Sequence, residues 1–161
     1  MKIFKSKAFY IICLSVLSAA IIAGTVVYFA VIRPRQEQEE WLAKVQAYRD
    51  AKVEQYRREN EEFDDYEVDV AFLGDSLTDG YDLQKYYPQY VTANRGIGGD
   101  TTFDLEGRLE VSVYDLKPKV AVMLIGANNP DSMFENYEDI LKALKENLPD
   151  TEIVLLSMTA M

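Results

Sequence analysis

Residues 8–32, AFYIICLSVLSAAIIAGTVVYFAVI, run without a single charged side chain. At ~1.5 Å per residue such a helix reaches about 38 Å, enough to cross a hydrocarbon core of roughly 30 Å with some tilt. Cleavable secretion signals carry shorter apolar stretches, of about 7–15 residues. The expected element is therefore an uncleaved signal-anchor, with cleavage near Ala20 or Ala23 as the alternative. The pattern changes after Pro34. Residues 36–66 hold no Gly or Pro, and Trp41, Val45, Tyr48, Lys52 and Tyr56 recur near helical spacing among charges. That predicts an amphipathic helical stalk, by default a solvated spacer. Its narrow stripe also admits a coiled-coil dimer seam, and Trp41 is expected to pack on the stalk or membrane face.

From Val68 onward the pattern alternates between short apolar runs and helical periodicity. VDVAFLG (68–74), YVTANRG (90–96), KVAVMLIG (119–126) and TEIVLLSM (151–158) read as strands, the first and fourth as buried ones and the third as a central parallel one. TTFDLEGRLEVSVYDL (101–116) reads as a helix with Asp100 or Thr101 as N-cap and Leu105, Leu109 and Val113 on one face. FENYEDILKALKENL (134–148) is a second helix, with Tyr137, Ile140, Leu141, Leu144 and Leu148 as its stripe. Strands alternating with helices predict an α/β domain on a parallel sheet. The expected organisation is a basic N-terminus (1–7), a transmembrane anchor (8–32), a helical stalk (33–66) and an α/β domain (67–161). A further helix is expected after the last strand to cover that side of the sheet, so the domain reads as incomplete.

Charge adds direction. Residues 1–35 carry five basic side chains and no acidic one, whereas the whole chain has a net charge of −10. The acidic soluble part excludes nucleic acid, which needs a basic face, and makes any membrane attachment hydrophobic rather than electrostatic. Lys2, Lys5 and Lys7 before the span outnumber Arg33 and Arg35 after it, which places the N-terminus inside and the α/β domain outside the cell membrane. Cys13, the single cysteine, lies within the apolar run and reads as a small membrane-helix residue. Ile12 before it does not suit a lipoprotein signal.

Three loops follow three predicted strands: Gly74-Asp75-Ser76-Leu77, NRGIGGDTT (94–102) and IGANNP (125–130). In an open parallel sheet ligands bind beyond the carboxyl ends of the strands, and all three loops belong there. Ser76 would stand at a strand end with its hydroxyl free. Gly98-Gly99 lets backbone approach closely. Asn128 offers a side-chain NH₂. Together with the Ser76 N–H, these are donors for a developing oxyanion, each worth on the order of 10²–10³ in rate. The plainer readings are that Ser76 caps the next helix with Asp79 as its pair, that the glycines form an ordinary turn, and that Asn128 and Asn129 are turn residues before Pro130. Asp75 and Asp100 lack a His or Cys partner that would suggest a metal. Arg95 and Arg108 read as surface or structural.

In order and approximate spacing, FLGDSLTDG, NRGIGGDTT and IGANN resemble the first three sequence blocks of the SGNH (GDSL) hydrolases. These are esterases and lipases with a flavodoxin-like α/β fold, some of them similar to platelet-activating-factor acetylhydrolase. The resemblance covers about Val68 to Met161. It implies a flavodoxin-like three-layer parallel sheet, here incomplete. It also implies Ser76 as nucleophile and oxyanion donor, Gly99 as second donor and Asn128 as third. Two departures stand out. The third block usually reads Gly-x-Asn-Asp, and here Asn129 follows Asn128. The family's final Asp-x-x-His block, which supplies base and orienter, is missing, and the chain contains no histidine at all. The expectation is a membrane-anchored serine esterase, acting on acyl or O-acetyl esters of surface polysaccharide, lipid or small molecules, in a sequence that stops before its Asp/His block. The alternatives are an inactive tethered binding module and a non-functional fragment. No cofactor or metal is implied, and oligomeric state is open.

Overall fold

The structure is a computed structural model and describes residues 7–157. It divides into two units, one ending at Tyr48 and one beginning at Arg49. In the first, α1 (Lys7–Val27) has no buried residue. Its Ser15 and Thr25 hydroxyls donate to carbonyls of the preceding turn, Ile12 O at 2.9 Å and Ile21 O at 2.8 Å. Side chains that satisfy their polar atoms within their own helix suit an apolar solvent. A π-helical turn (Tyr28–Ile32) and α2 (Arg33–Asn60) follow directly. Among the described residues this is the one helix long and apolar enough to cross a membrane. Trp41 is 61% exposed, while Tyr56 near the end of α2 is 1% exposed. From Arg49 on, α2 is not a solvated spacer: Tyr56 packs with Ile97 and Val111, flanked by Val53.

The second unit is built on four strands: β1 (Val70–Gly74), β2 (Thr92–Gly96), β3 (Val120–Leu124) and β4 (Glu152–Leu155). Every pairing is parallel, in the order β2-β1-β3-β4. The chain first moves from β1 to β2, then crosses back past β1 to β3. The direction of winding therefore reverses between β1 and β3, and this is where such sheets open a crevice. The register aligns Gly74 with Gly96 on one side and with Leu124 on the other. All three predicted loops consequently leave the sheet at the same level.

Alternation along the strands separates two faces. Ala71, Leu73, Ala93, Ala121 and Met123 are buried. Against Leu73 and Met123 pack Leu105, Leu109 and Val113, together with Ile140 and Leu144 of α6 (Phe134–Asn147) and its C-cap Leu148. Val68 and Leu116 join Ala71 and Ala93 in a smaller cluster. On the opposite face Phe72, Val122 and Leu124 are half-buried. There the β1–β2 connection supplies two short helices, α3 (Ser76–Asp79) and α4 (Leu83–Tyr86). The Tyr87 ring that follows lies 5.3 Å from that of Phe72. The helix expected over 101–116 is broken. Thr101 caps α5 (Thr102–Glu106) in a reciprocal capping box with Asp104, Gly107 ends it, and a π-helical turn (Glu110–Tyr114) resumes. The apolar stripe survives the break because Leu105, Leu109 and Val113 all still face the core.

Candidate active site

Ser76 owes its position to its two neighbours. A Cβ on Gly74 would lie 2.2 Å from Thr78 Oγ1 and 2.4 Å from the Leu124 carbonyl oxygen, so only glycine allows the chain to turn there. Asp75 is buried and caps α3. Its Oδ1 accepts from the Leu77 N–H at 3.0 Å, and its carbonyl accepts from the Thr78 and Asp79 N–H groups at 3.1 and 2.9 Å. The capping role considered for Ser76 thus falls to Asp75, one residue earlier. Ser76 is the first helical residue, exposed. Among the described residues none hydrogen-bonds its hydroxyl or takes its backbone N–H.

The second loop is stitched to the first. The Ile97 N–H donates to the Gly74 carbonyl at 3.1 Å, and Gly96 sits so close that a Cβ would be 2.2 Å from Asp79 N. The Asp100 N–H donates to the Ile97 carbonyl at 3.2 Å and closes a turn over Gly98-Gly99. Gly99 has φ +85° with open space where a side chain would be. This region favours glycine, and it leaves the loop backbone bare toward solvent. Behind it Asp100 is fully buried. Arg108, also buried, donates to Asp100 Oδ2 (2.7 Å), to the carbonyls of Arg95 (2.9 Å) and Gly74 (3.0 Å), and to Ser112 Oγ (2.7 Å). One guanidinium therefore ties together the ends of β1 and β2 and the second loop.

The third loop meets the second at the same residue. Gly126 turns with φ +118° beneath the Met133 side chain. Asn128 is exposed, and its Nδ2 donates to the Asp100 carbonyl at 2.8 Å, which leaves its other amide hydrogen available. Asn129 accepts from the Thr102 N–H at 3.2 Å and donates to Thr102 Oγ1 at 2.9 Å. Asp100 is thus a junction. Its N–H closes the Gly98-Gly99 turn and its carbonyl holds Asn128.

Burial pushes the Asp100 carboxyl above its ordinary value, against the opposing pull of Arg108 and Arg49. Burial acts the same way on Asp104. There the Thr101 N–H and hydroxyl and the Arg49 guanidinium win, and its carboxyl lies below the usual range. Arg95 is fully buried and burial lowers its pKa, although Glu59 opposes this. Its guanidinium pairs with Glu59, donates to Asn60 Oδ1 at 2.9 Å and lies 4.7 Å over the Tyr56 ring. Both arginines are therefore interior groups. Among the described residues no group of three or more metal-ligating side chains gathers. The oxygens of Asp100 face arginines, and Asp75 Oδ1 is engaged by backbone.

The roles of Asp100, Arg108 and Asn129 as connectors were not visible in the sequence. One signal was present for Arg108: it follows Leu105 and precedes Ser112 at helical spacing, on the side that carries the apolar stripe.

Fold and site together define a class: a doubly wound α/β domain with an unengaged serine at the reversal point and two glycine- and asparagine-bearing loops at the same level. The GDSL-like lipase/acylhydrolase family model matches residues 72–161, and the chain belongs to that family. Among curated relatives, the platelet-activating factor acetylhydrolase IB subunit alpha2 of Homo sapiens is 33% identical over 103 residues, covering 58% of this chain and 45% of that one. The Gallus gallus subunit is 30% identical over 115 residues, covering 66% and 50%. The chain thus spans about half the length of the curated relatives it matches. A solved structure from Streptococcus pneumonia, provisionally described as a platelet activating factor, superposes with a TM-score of 0.65 at 29% identity, over 79% of this chain and 61% of that one. A GDSL-like lipase from Bacteroides thetaiotaomicron shares the fold, with a TM-score of 0.55 at 24% identity, over 64% and 56%.

Proposed function

We propose that this chain is the membrane-anchored, nucleophile-bearing part of a serine ester hydrolase. The Ser76 hydroxyl attacks an ester carbonyl and passes its proton to a histidine. The tetrahedral oxyanion is held by the Ser76 N–H, the Gly99 N–H and the free Asn128 amide hydrogen. The carbonyl re-forms, the alcohol leaves with the proton, and water then releases the acyl group by the same route. The 161 residues contain no histidine, so in this reading the base and its aspartate lie outside them. The observation that carries the proposal is the exposed, unpartnered Ser76 hydroxyl at the reversal point of the sheet, with both donor loops pinned to one residue, Asp100.

α1 serves as the anchor, with the N-terminus inside and the α/β unit outside the cell membrane. Its lack of buried residues and its internally satisfied hydroxyls support the anchor, the lysines before the span support the orientation, and protease protection in closed vesicles tests both. The substrates are acyl or O-acetyl esters at the outer surface, on polysaccharide or lipid, in keeping with the acetylhydrolase relatives. Esterase assays on protein purified from its own membrane test the chemistry. Ser76→Ala should remove activity by about 10⁶ in kcat, the loss typical of a catalytic serine, and an unaffected Ser76→Ala enzyme would sink the assignment. The absence of histidine favours one other reading, a tethered binding module in which the same donors hold a carboxylate or acetyl group. Saturable acetate binding that Ser76→Ala spares and Gly99→Pro removes, without hydrolysis, would favour that reading.

A further inference from the structure

Asp100 is held by two arginines, and only Arg108 belongs to the sheet-and-loop architecture that presents the site. The other, Arg49, comes from α2. Its Nη2 lies 3.2 Å from Asp100 Oδ1 and its Nη1 2.8 Å from Asp104 Oδ1. The guanidinium therefore forks across the two carboxylates that flank the N-cap of α5. A planar fork of this kind fixes both partners where an ammonium would fix one. Further along the same helical face, Lys52 pairs with Asp79 at 2.7 Å and the Tyr56 hydroxyl donates to the Gly96 carbonyl. Glu59 and Asn60 engage Arg95. Each of these contacts falls on a residue just behind the first or second loop.

We infer that Arg49 is a positioning residue for the oxyanion loop: by bridging Asp100 and Asp104 it holds the Asp100 backbone, and through it both Gly99 and Asn128. This rests on the reading of Gly99 and Asn128 as oxyanion donors. Asp100 Oδ1 is buried and forms no hydrogen bond in which donor and acceptor align, so the Arg49 charge is what faces that oxygen. Without it, the two carboxylates repel each other and Asp100 is balanced from one side only. The Asp100 backbone then loses its fixed place. Its N–H defines the Gly98-Gly99 turn and its carbonyl the Asn128 amide, so both donors move together. In the complete enzyme this lowers kcat and leaves KM nearly unchanged.

Nuclear magnetic resonance on the full chain in detergent micelles tests this without needing turnover. Gly98-Gly99 is the only Gly-Gly pair in the sequence and Gly99-Asp100 one of two Gly-Asp pairs, so carbonyl-13C glycine with amide-15N glycine and aspartate identifies the Gly99 amide uniquely and the Asp100 amide as the Gly-Asp signal lost in Asp100→Asn. Arg49→Met is expected to displace the Gly99 signal and to speed amide exchange of Asp100 by about tenfold or more, as a locally opened turn would. Arg49→Lys, which reaches one carboxylate, should produce a smaller change in both. Asn60→Ala, which loosens the far end of the α2 contact, should leave both signals in place. Unmoved signals in Arg49→Met would overturn the inference, as would equal changes in Asn60→Ala. Should Arg49→Met not fold, Arg49→Lys decides by the same two signals. Failure of the hydrolase reading would instead appear as active Ser76→Ala protein, with these signals unaffected.

Discussion

Arg108→Met should be among the most damaging single changes in the α/β unit. Methionine keeps most of the side-chain volume and removes the guanidinium. Lost with it are the pair to Asp100 Oδ2 at 2.7 Å and the bonds to the Arg95 and Gly74 carbonyls and to Ser112 Oγ. Removing one partner of a buried ion pair costs about 3–5 kcal/mol, because the other charge is left buried. Arg49 remains on Asp100 and the Gly74 carbonyl keeps the Ile97 N–H, which favours the lower half of that range. The Arg95 carbonyl stays in the β1–β2 ladder, and loss of its bond to Arg108 adds roughly 1 kcal/mol. A total of about 4 kcal/mol is a large share of the ~5–15 kcal/mol that holds a typical domain together. Urea unfolding of the full chain in micelles, followed by tyrosine near-ultraviolet dichroism, gives the number by linear extrapolation. Trp41 belongs to the first unit and is a poor reporter here. If the orphaned charge is the cause, Arg108→Met with Asp100→Asn should be about 1–2 kcal/mol more stable than the sum of the single losses predicts. A loss below about 1 kcal/mol, or strict additivity, would refute the reasoning.

Other outcomes follow from the same geometry. Gly96→Ala should destabilise far more than Gly99→Ala in the same unfolding assay. The first places a Cβ 2.2 Å from Asp79 N, which is backbone and cannot yield, whereas the second meets open space at φ +85° and costs only about 1–2 kcal/mol. Asn129→Asp should change stability by less than about 1 kcal/mol, because a carboxylate still accepts from the Thr102 N–H and the hydroxyls of Thr102 and Ser132 can turn to donate to it. On acidification, carboxyl-carbon shifts should report protonation of Asp100 before Asp104. The lowered Asp104 group contributes stability above its unfolded value near 3.8, lost as pH falls through its lower folded value. The raised Asp100 group works against the fold at neutral pH and ceases to as it protonates above 3.8. The reverse order of titration would contradict the assignment of burial as the dominant cause at Asp100.

β1 and β3 were legible as apolar runs with every second side chain buried, whereas β4, read as a buried strand, has Glu152 and Leu155 exposed. All four lie within the segments read as strands from the sequence: β1 and β2 begin two residues later and end at the same residue, while β3 and β4 begin one residue later and end two and three residues earlier, with position 158 outside the described residues. Ser76, Gly99 and Asn128 were legible as loop residues after strands, and the parallel register then brought those loops to one level. What the apolar pattern could not reveal was polar and distant in sequence. Sequence leaves Arg95 and Arg108 open between surface and structural roles until their partners at Glu59, Asn60, Gly74 and Asp100 are known, because a buried charge is stable only through those partners. The final turns of α2 belong with the α/β unit for the same reason. Arg49, Lys52, Glu59 and Asn60 dock by ion pairs and hydrogen bonds, so the apolar stripe there stays narrow. The break at Gly107 was hidden because a π-helical turn afterwards keeps Val113 in register with Leu105 and Leu109. Asp75 took the capping role considered for Ser76 through a shift of one residue, too fine for a pattern to resolve, and that shift is what leaves the serine hydroxyl free.

The central claim is that Ser76 is a nucleophile. Its most direct test is to treat the protein, purified from its own membrane, with a fluorophosphonate and map the adduct by mass spectrometry. The account predicts one phosphonyl group on Ser76, and no labelling of Ser76→Ala at the same concentration and time. An unlabelled Ser76 in protein that is folded and carries its histidine, or equal labelling of the Ser76→Ala protein, would contradict it.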